Sequence, residues 1–182
     1  MTRHITHPDF EIMIIKNKTV IDDDWSVLRL AEGDTPEGVV VPSGKVIVPL
    51  KVWQVQRDTL QQRAAFGVWL ASDQRAEDLQ NDLGAFSLIA VDFPKFADGR
   101  GYSIAYHLRA RLGYRGELRA IGDVLRDQLF YMQRVGFDAF APRADKDMHE
   151  ALKGLSDFSL TYQASADEAL PLFRRAQRGS GR

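Results

Sequence analysis

The sequence of 182 residues contains no cysteine. That excludes disulfides, thiolate zinc sites, cysteine-ligated iron–sulfur clusters and a thiol nucleophile. Net charge is also nearly absent: 24 Lys plus Arg against 25 Asp plus Glu leave −1, which argues against a nucleic-acid binder that works by bulk charge. No apolar run approaches the ~20 residues needed to span a bilayer. Met1 to Asp9 lack the apolar core of a signal peptide, so a cytoplasmic protein with no membrane partner is expected. Histidines number four, without His-Glu-x-x-His or paired-ligand spacing, so no metal site is expected. Gly-x-Ser-x-Gly, a Walker loop and a dinucleotide fingerprint are all missing.

What is present fits one domain over residues 1–182, with 45% hydrophobic and 27% charged residues, an ordinary globular composition. An N-terminal hairpin and loop cover 1–44, a body of βα repeats 45–177 and a tail 178–182. Glu11 to Ile15 and Thr19 to Ile21 flank Lys16-Asn-Lys18, which reads as a hairpin turn. Asp22-Asp23-Asp24 reads as a solvated turn ending the second strand, and residues 31–44, rich in Gly, Pro and Glu, as a loop.

From residue 45 short continuous apolar runs alternate with longer stretches of mixed polarity. The runs are Val46 to Leu50, Phe66 to Leu70, Leu88 to Val91, Glu117 to Ile121, Asp138 to Ala141 and Phe158 to Tyr162. Continuous rather than alternating apolarity is how a strand reads when both faces are covered, as in a parallel sheet. The segments between them read as helical. Ser72 and Asp73 are placed to cap Gln74 to Leu83, and Ile104, Ala105, Leu108 and Leu112 form one stripe ending at Gly113. Asp123 is placed to cap a helix carrying Leu125, Leu129 and Met132 that ends at Gly136, and Asp145 to Leu155 and Asp167 to Gln177 are further helical segments. Strand starts recur about every 21 residues, with one interval of about 29. Such a train of βα units predicts an α/β fold with a parallel sheet, TIM-barrel-like or an incomplete barrel, with the N-terminal β-hairpin supplying missing wall. An open doubly wound sheet is the alternative.

In both architectures ligands bind at the carboxyl ends of the strands. The long interval adds its residues there, in Asp92-Phe-Pro-Lys95-Phe-Ala-Asp98-Gly99-Arg100-Gly101. Asp92, Asp98 and Asp123 are the candidate general acids or bases. Lys95, Arg100, Arg126 and Arg143 are the candidate ligands of an oxyanion or phosphate. Gly99 and Gly101 would let the backbone approach it closely or take positive φ. Asp123 has the competing role of helix cap. Arg119 shares a strand face with Glu117, and as a buried cation needs Glu117 or Asp92 as partner. Tyr102, Tyr106 and Tyr131 could stack on a planar cofactor but fit packing roles better, and no cofactor is specified.

Three segments carry a resemblance: Val91 to Ser103, Gly113 to Gln128 with its Tyr-Arg-Gly-Glu-Leu-Arg-Ala-Ile-Gly-Asp run, and Gly136-Phe-Asp-Ala-Phe140. Together they resemble a bacterial domain-of-unknown-function family, number 934 in that naming series, from Val46 to about Arg143. Its members are commonly encoded beside assimilatory sulfite reductase, and many are labelled an oxidoreductase of sulfite reduction. The resemblance therefore implies sulfur assimilation for cysteine synthesis, with sulfite reductase as the expected partner, and carries no catalytic residues over. An accessory role in electron delivery or assembly, an enzyme with an oxyanion site and a non-catalytic scaffold all follow as expectations. Lacking cysteine, the chain would pass electrons through a bound flavin or act by docking.

Overall fold

The computed structural model describes residues 12–95, 98–143, 145–156 and 165–167. The chain opens with β1 (Met13–Lys16) and β2 (Thr19–Asp22), paired antiparallel with Lys16 opposite Thr19. Asn17 and Lys18 form the turn, at φ 49° and 63°. That left-handed backbone matches the twist of a two-residue hairpin. β3 (Trp25–Val27) follows after two residues. It is a strand the sequence pattern did not announce, because only three residues pair. The loop over 31–44 contains neither helix nor strand.

Five further strands follow: β4 (Lys45–Pro49), β5 (Phe66–Leu70), β6 (Leu88–Phe93), β7 (Glu117–Gly122) and β8 (Ala139–Phe140). They coincide with the first five apolar runs. The sixth run, Phe158 to Tyr162, lies outside the described residues, as does nearly all of the segment 167–177. Between the strands lie α1 (Leu50–Leu60), α2 (Arg100–Tyr106), α3 (Arg126–Val135) and α4 (Met148–Lys153). α2 continues as a wider turn of helix over His107–Arg111 and stops at Gly113, at φ +70°. α3 stops at Gly136, at φ +117°, the left-handed stop that glycine supplies without strain. Within the Asp145 to Leu155 segment only Met148–Lys153 is α-helical, capped by Asp147, whose side chain accepts from the His149 and Glu150 amides.

Two helix expectations fail. Gln74 to Leu83 form no α-helix; Ala76–Leu79 and Leu83–Ala85 are short 3₁₀ turns. Asp82, between them, accepts from Trp53 Nε1 at 3.2 Å and is ion-paired with Arg57, so tertiary contacts outweigh local propensity. Ser72 caps nothing there and receives Arg100 instead, at 2.9 Å. Asp123 is not the cap of α3 either. The helix starts at Arg126 with Leu125 at the cap position, and the Leu125 amide is satisfied from within by Gln128 Oε1 at 3.1 Å.

The strands form one sheet in the order β2-β1-β8-β7-β6-β5-β4-β3. β3 to β8 are parallel and lie side by side in sequence order, with no reversal of order among them. The sheet is a curled half-barrel in a mixed α/β fold. Its two edges belong to β2 and β3, yet only Asp23 and Asp24 separate these strands. Asp22 and Trp25 are therefore within about 11 Å of each other, so the two edges are tied together at that end without being paired.

Successive residues of a strand point to opposite faces, and the two faces have different partners. Val46, Val68, Val91, Leu118 and Phe140 share one cluster with the helix residues Trp53, Leu108, Leu129 and Met132. Trp53 is fully buried there, stacked on Phe66 at 5.3 Å and edge-on to Phe86 at 4.9 Å. The inner face is lined by Ile47, Leu88, Ala90 and Ile121, closed by Trp25, Trp69 and Ala141. Consecutive parallel order places the crossover helices on one side, so the inner face must be filled by strand and loop side chains alone.

Asp22-Asp23-Asp24 is not the solvated run expected. Asp24 is exposed and pairs with Lys45, but the side chain of Asp23 is only 7% exposed and meets Arg119 Nη1 at 2.8 Å. Arg119 is held on its other side by Glu117 at 2.7 Å, and Glu117 also meets Lys16 at 2.6 Å. Two cations and two carboxylates thus compensate one another inside the curl. A buried arginine needs such pairing; of the two expected partners Glu117 serves and Asp92 does not.

Candidate functional site at the strand carboxyl ends

Parallel strands point their carboxyl ends to one edge, and the loops that follow β5, β6, β7 and β8 bring Ser72, Asp98, Arg100, Asp123 and Arg143 to it. Asp92 is the penultimate residue of β6, on the inner face beside Ile121. Its side chain is 10% exposed and receives a fork from Arg29, Nη2 to Oδ1 at 2.7 Å and Nη1 to Oδ2 at 3.2 Å. Arg29 follows β3 and lies over the Trp69 ring, 5.2 Å from its centroid. Trp69 Nε1 donates to the Leu28 carbonyl at 3.0 Å, fixing the loop that carries Arg29.

Gly122 makes the Asp92 position feasible. It sits at φ +92°, and a Cβ there would come within 2.5 Å of the Phe93 carbonyl and 2.7 Å of Asp92 Oδ1. A side chain is excluded both by backbone strain and by space. The turn is closed by the Asp123 amide donating to the Phe93 carbonyl at 2.7 Å.

Asp98 and Arg100 form the second pair. Arg100 Nε and Nη2 donate to the two Asp98 oxygens at 2.9 and 2.7 Å, and Nη2 also reaches Ser72 Oγ. These hydrogen bonds, Arg100 first and Ser72 next, hold the half-buried Asp98 carboxyl well below the usual carboxylate range. Such a group carries no proton at neutral pH, which makes it a poor general acid and a weak base. Arg143 forms the third pair: Nε and Nη2 meet Asp145 at 3.0 and 3.1 Å, and Nη1 reaches Asp123 at 3.4 Å. The bond to Asp145 raises the Arg143 pKa.

The edge therefore gathers Asp92, Asp98, Asp123, Arg100 and Arg143, and it adds Arg29 and Ser72, which the sequence reading missed as site residues. Lys95 is exposed, and its carbonyl accepts from the Asp98 amide at 3.0 Å. Arg126 opens α3 with its backbone carbonyl and Cγ against Gly154. The two loop glycines serve neither of the expected purposes. Gly99 is at φ −78°, with nothing within 4 Å of a Cβ. Gly101 lies within α2, where a Cβ would be 2.6 Å from the Phe93 ring, so it sets the packing of helix on strand. Tyr102 packs edgewise on Phe93 at 5.3 Å and against Tyr131 at 5.1 Å.

Among the described residues no group of three or more His, Cys, Asp or Glu is arranged to hold a metal ion. Among them, too, no helix is long and apolar enough to cross a membrane. The chemistry available at the edge is that of fixed guanidinium groups, each turned toward a carboxylate, with Asp92 the most enclosed of the acids.

Neither a curated protein nor a solved structure matches the chain. A family described as bacterial protein of unknown function (DUF934) matches residues 67–173, more than half of the chain and every edge residue above except Arg29, and the chain belongs to that family.

Proposed function

We propose that the protein serves sulfite reduction in sulfur assimilation as an accessory of sulfite reductase, assisting electron delivery or assembly in the cytoplasm. What carries this reading is the family, whose members are commonly encoded beside that reductase. The chemistry of the chain is compatible with it. Without cysteine it holds no thiolate-ligated cluster of its own, so it acts by docking or through a bound flavin. Six parallel strands in sequence order, extended by a hairpin into a curled half-barrel, support reading the fold as an incomplete (β/α) barrel, and ligands of such folds bind at the strand carboxyl ends.

A second reading is favoured by the edge itself. Three arginines are fixed there by carboxylates, and guanidinium forks of this kind suit a small oxyanion or a phosphate group. In that reading the protein is an enzyme, with Asp92 or Asp123 as the acid–base group.

The deciding experiment is growth of a deletion strain on sulfite as the sole sulfur source, with cysteine as rescue. Failure on sulfite with rescue by cysteine is expected; normal growth on sulfite contradicts the pathway. Arg100→Ala and Asp98→Asn complementing fully, with co-purification of the reductase retained, supports docking at another surface. Loss of growth with retained co-purification supports chemistry at the edge.

A further inference from the structure

We infer that Arg29, clamped by Asp92 over Trp69, is the receptor for a small inorganic oxyanion at the opening of the curled sheet. The inference rests on the oxyanion reading of the carboxyl edge and assigns the ligand to a residue outside the stretch that the family matches.

A guanidinium carries five N–H donors in a rigid plane. Asp92 takes one from Nη1 and one from Nη2, and the others meet no acceptor among the described residues. The two ends of the ion pair differ in exposure: Asp92 is 10% exposed and Arg29 51%. The carboxylate is thus the enclosed end of the pair, on the inner face of the sheet, and the arginine is the end open to solvent. The plane is fixed twice, by the fork and by the Trp69 ring beneath it. Trp69 is itself fastened to the Leu28 carbonyl, and Asp92 is fixed in the space that Gly122 leaves. Ordering a long flexible side chain before the ligand arrives removes much of the entropic cost of binding.

The other two edge arginines are less available. Arg100 commits Nε and Nη2 to Asp98 and Ser72, and Arg143 commits all three of its nitrogens to Asp145 and Asp123. An incoming anion with two oxygens on one side finds its unpaired donors on Arg29. Pyramidal and tetrahedral oxyanions, sulfite, sulfate and phosphate, share that feature.

The test titrates the full chain with sodium sulfite, sodium sulfate and inorganic phosphate in turn, followed by calorimetry and tryptophan emission. Binding of at least one anion is expected, with an emission change that Trp69→Phe removes, because the ligand acts on the cation above that ring. Arg29→Ala is expected to weaken it about tenfold or more, the worth of a charge-assisted hydrogen bond. Arg29→Lys, which keeps the charge and loses the fork, is expected to weaken it several-fold. Wild-type affinity in Arg29→Lys or in a folded Arg29→Ala overturns the assignment. If Arg100→Ala or Arg143→Ala then abolishes binding, the oxyanion reading of the edge survives without Arg29. No binding of any of the three anions to wild type at millimolar concentration overturns both.

Discussion

Arg119 and Asp23 lie 96 residues apart in the chain and meet at 2.8 Å inside the curl of the sheet. Their contact ties the middle of β7 to the two-residue link between the sheet's edges. It is therefore a clasp on the curl as well as a buried ion pair, and its removal tests how much the curl depends on it. Asp23→Ala leaves Arg119 with Glu117 alone, and Arg119→Met leaves Asp23 buried without a cation. Each is expected to cost about 3–5 kcal/mol, the range for breaking a buried pair from one side, read by urea denaturation. The double variant is expected to cost less than the sum of the two. An additive double variant would mean that the pair contributes no coupling.

The glycines of the edge give a graded prediction. Gly99 is in open space at an ordinary φ, so Gly99→Ala is expected to be neutral or to stabilise by about 0.5 kcal/mol through the unfolded chain. Gly101→Ala drives a methyl into the Phe93 ring and is expected to cost about 1–3 kcal/mol. Gly122→Ala combines positive φ with a clash on the Phe93 carbonyl and is expected to cost the most of the three. Thermal and urea melts of the three variants order them; a destabilised Gly99→Ala would point to a backbone role at that position.

Asp98 supplies a pH prediction. Arg100 and Ser72 lower its pKa in the folded protein below the unfolded value of about 3.9. A group with a depressed folded pKa contributes its stability above the unfolded value and loses it as pH falls through the folded one. The stability difference between wild type and Asp98→Asn is therefore expected to be constant from neutral pH down to about pH 5 and to shrink below it. Melting of both proteins from about pH 7 to about pH 2 measures it across that window. In Arg100→Ala the Asp98 carboxyl resonance is expected to titrate closer to the ordinary carboxylate range.

The aromatic cluster beneath α1 tests the other face of the sheet. Trp53 is buried among Phe66 and Phe86, with Arg57 over its ring and Asp82 on its indole nitrogen. Trp53→Ala is expected to cost about 3–5 kcal/mol, again read by denaturation. Trp53→Phe keeps the ring packing but leaves Asp82 one donor short, and is expected to cost less. An unchanged midpoint in the alanine variant would show that the cluster collapses around the loss.

The repeated strand–helix rhythm was legible because a strand covered on both faces must be apolar at every position, as Leu88, Ile89, Ala90 and Val91 are, all fully buried. The carboxyl edge was legible too, since parallel strands deliver their following loops to one side whatever the order of the sheet. Gln74 to Leu83 misread as a helix because Asp82 answers to Trp53 and Arg57, residues on another element. Asp123 misread as a cap because the helix starts later, at Arg126, with Leu125 at the cap position and its amide taken by Gln128 from inside the helix. Arg29 gave no signal at all: a lone cation between Leu28 and Leu30 acquires meaning only when Asp92, 63 residues away, is placed opposite it.

By itself the sequence determined that thiol chemistry is excluded, the α/β alternation, the hairpin at Asn17 and Lys18 and the position of the charged loop after β6. These depend on residue types and on spacing along the chain, which local sterics and burial convert directly into structure. Tertiary structure alone decided that the sheet curls into a half-barrel, that Asp23 turns inward to Arg119, and that Arg29 rather than a neighbouring loop residue holds Asp92. Pairings between distant side chains are fixed by where the strands come to lie, and no local pattern along the chain records that.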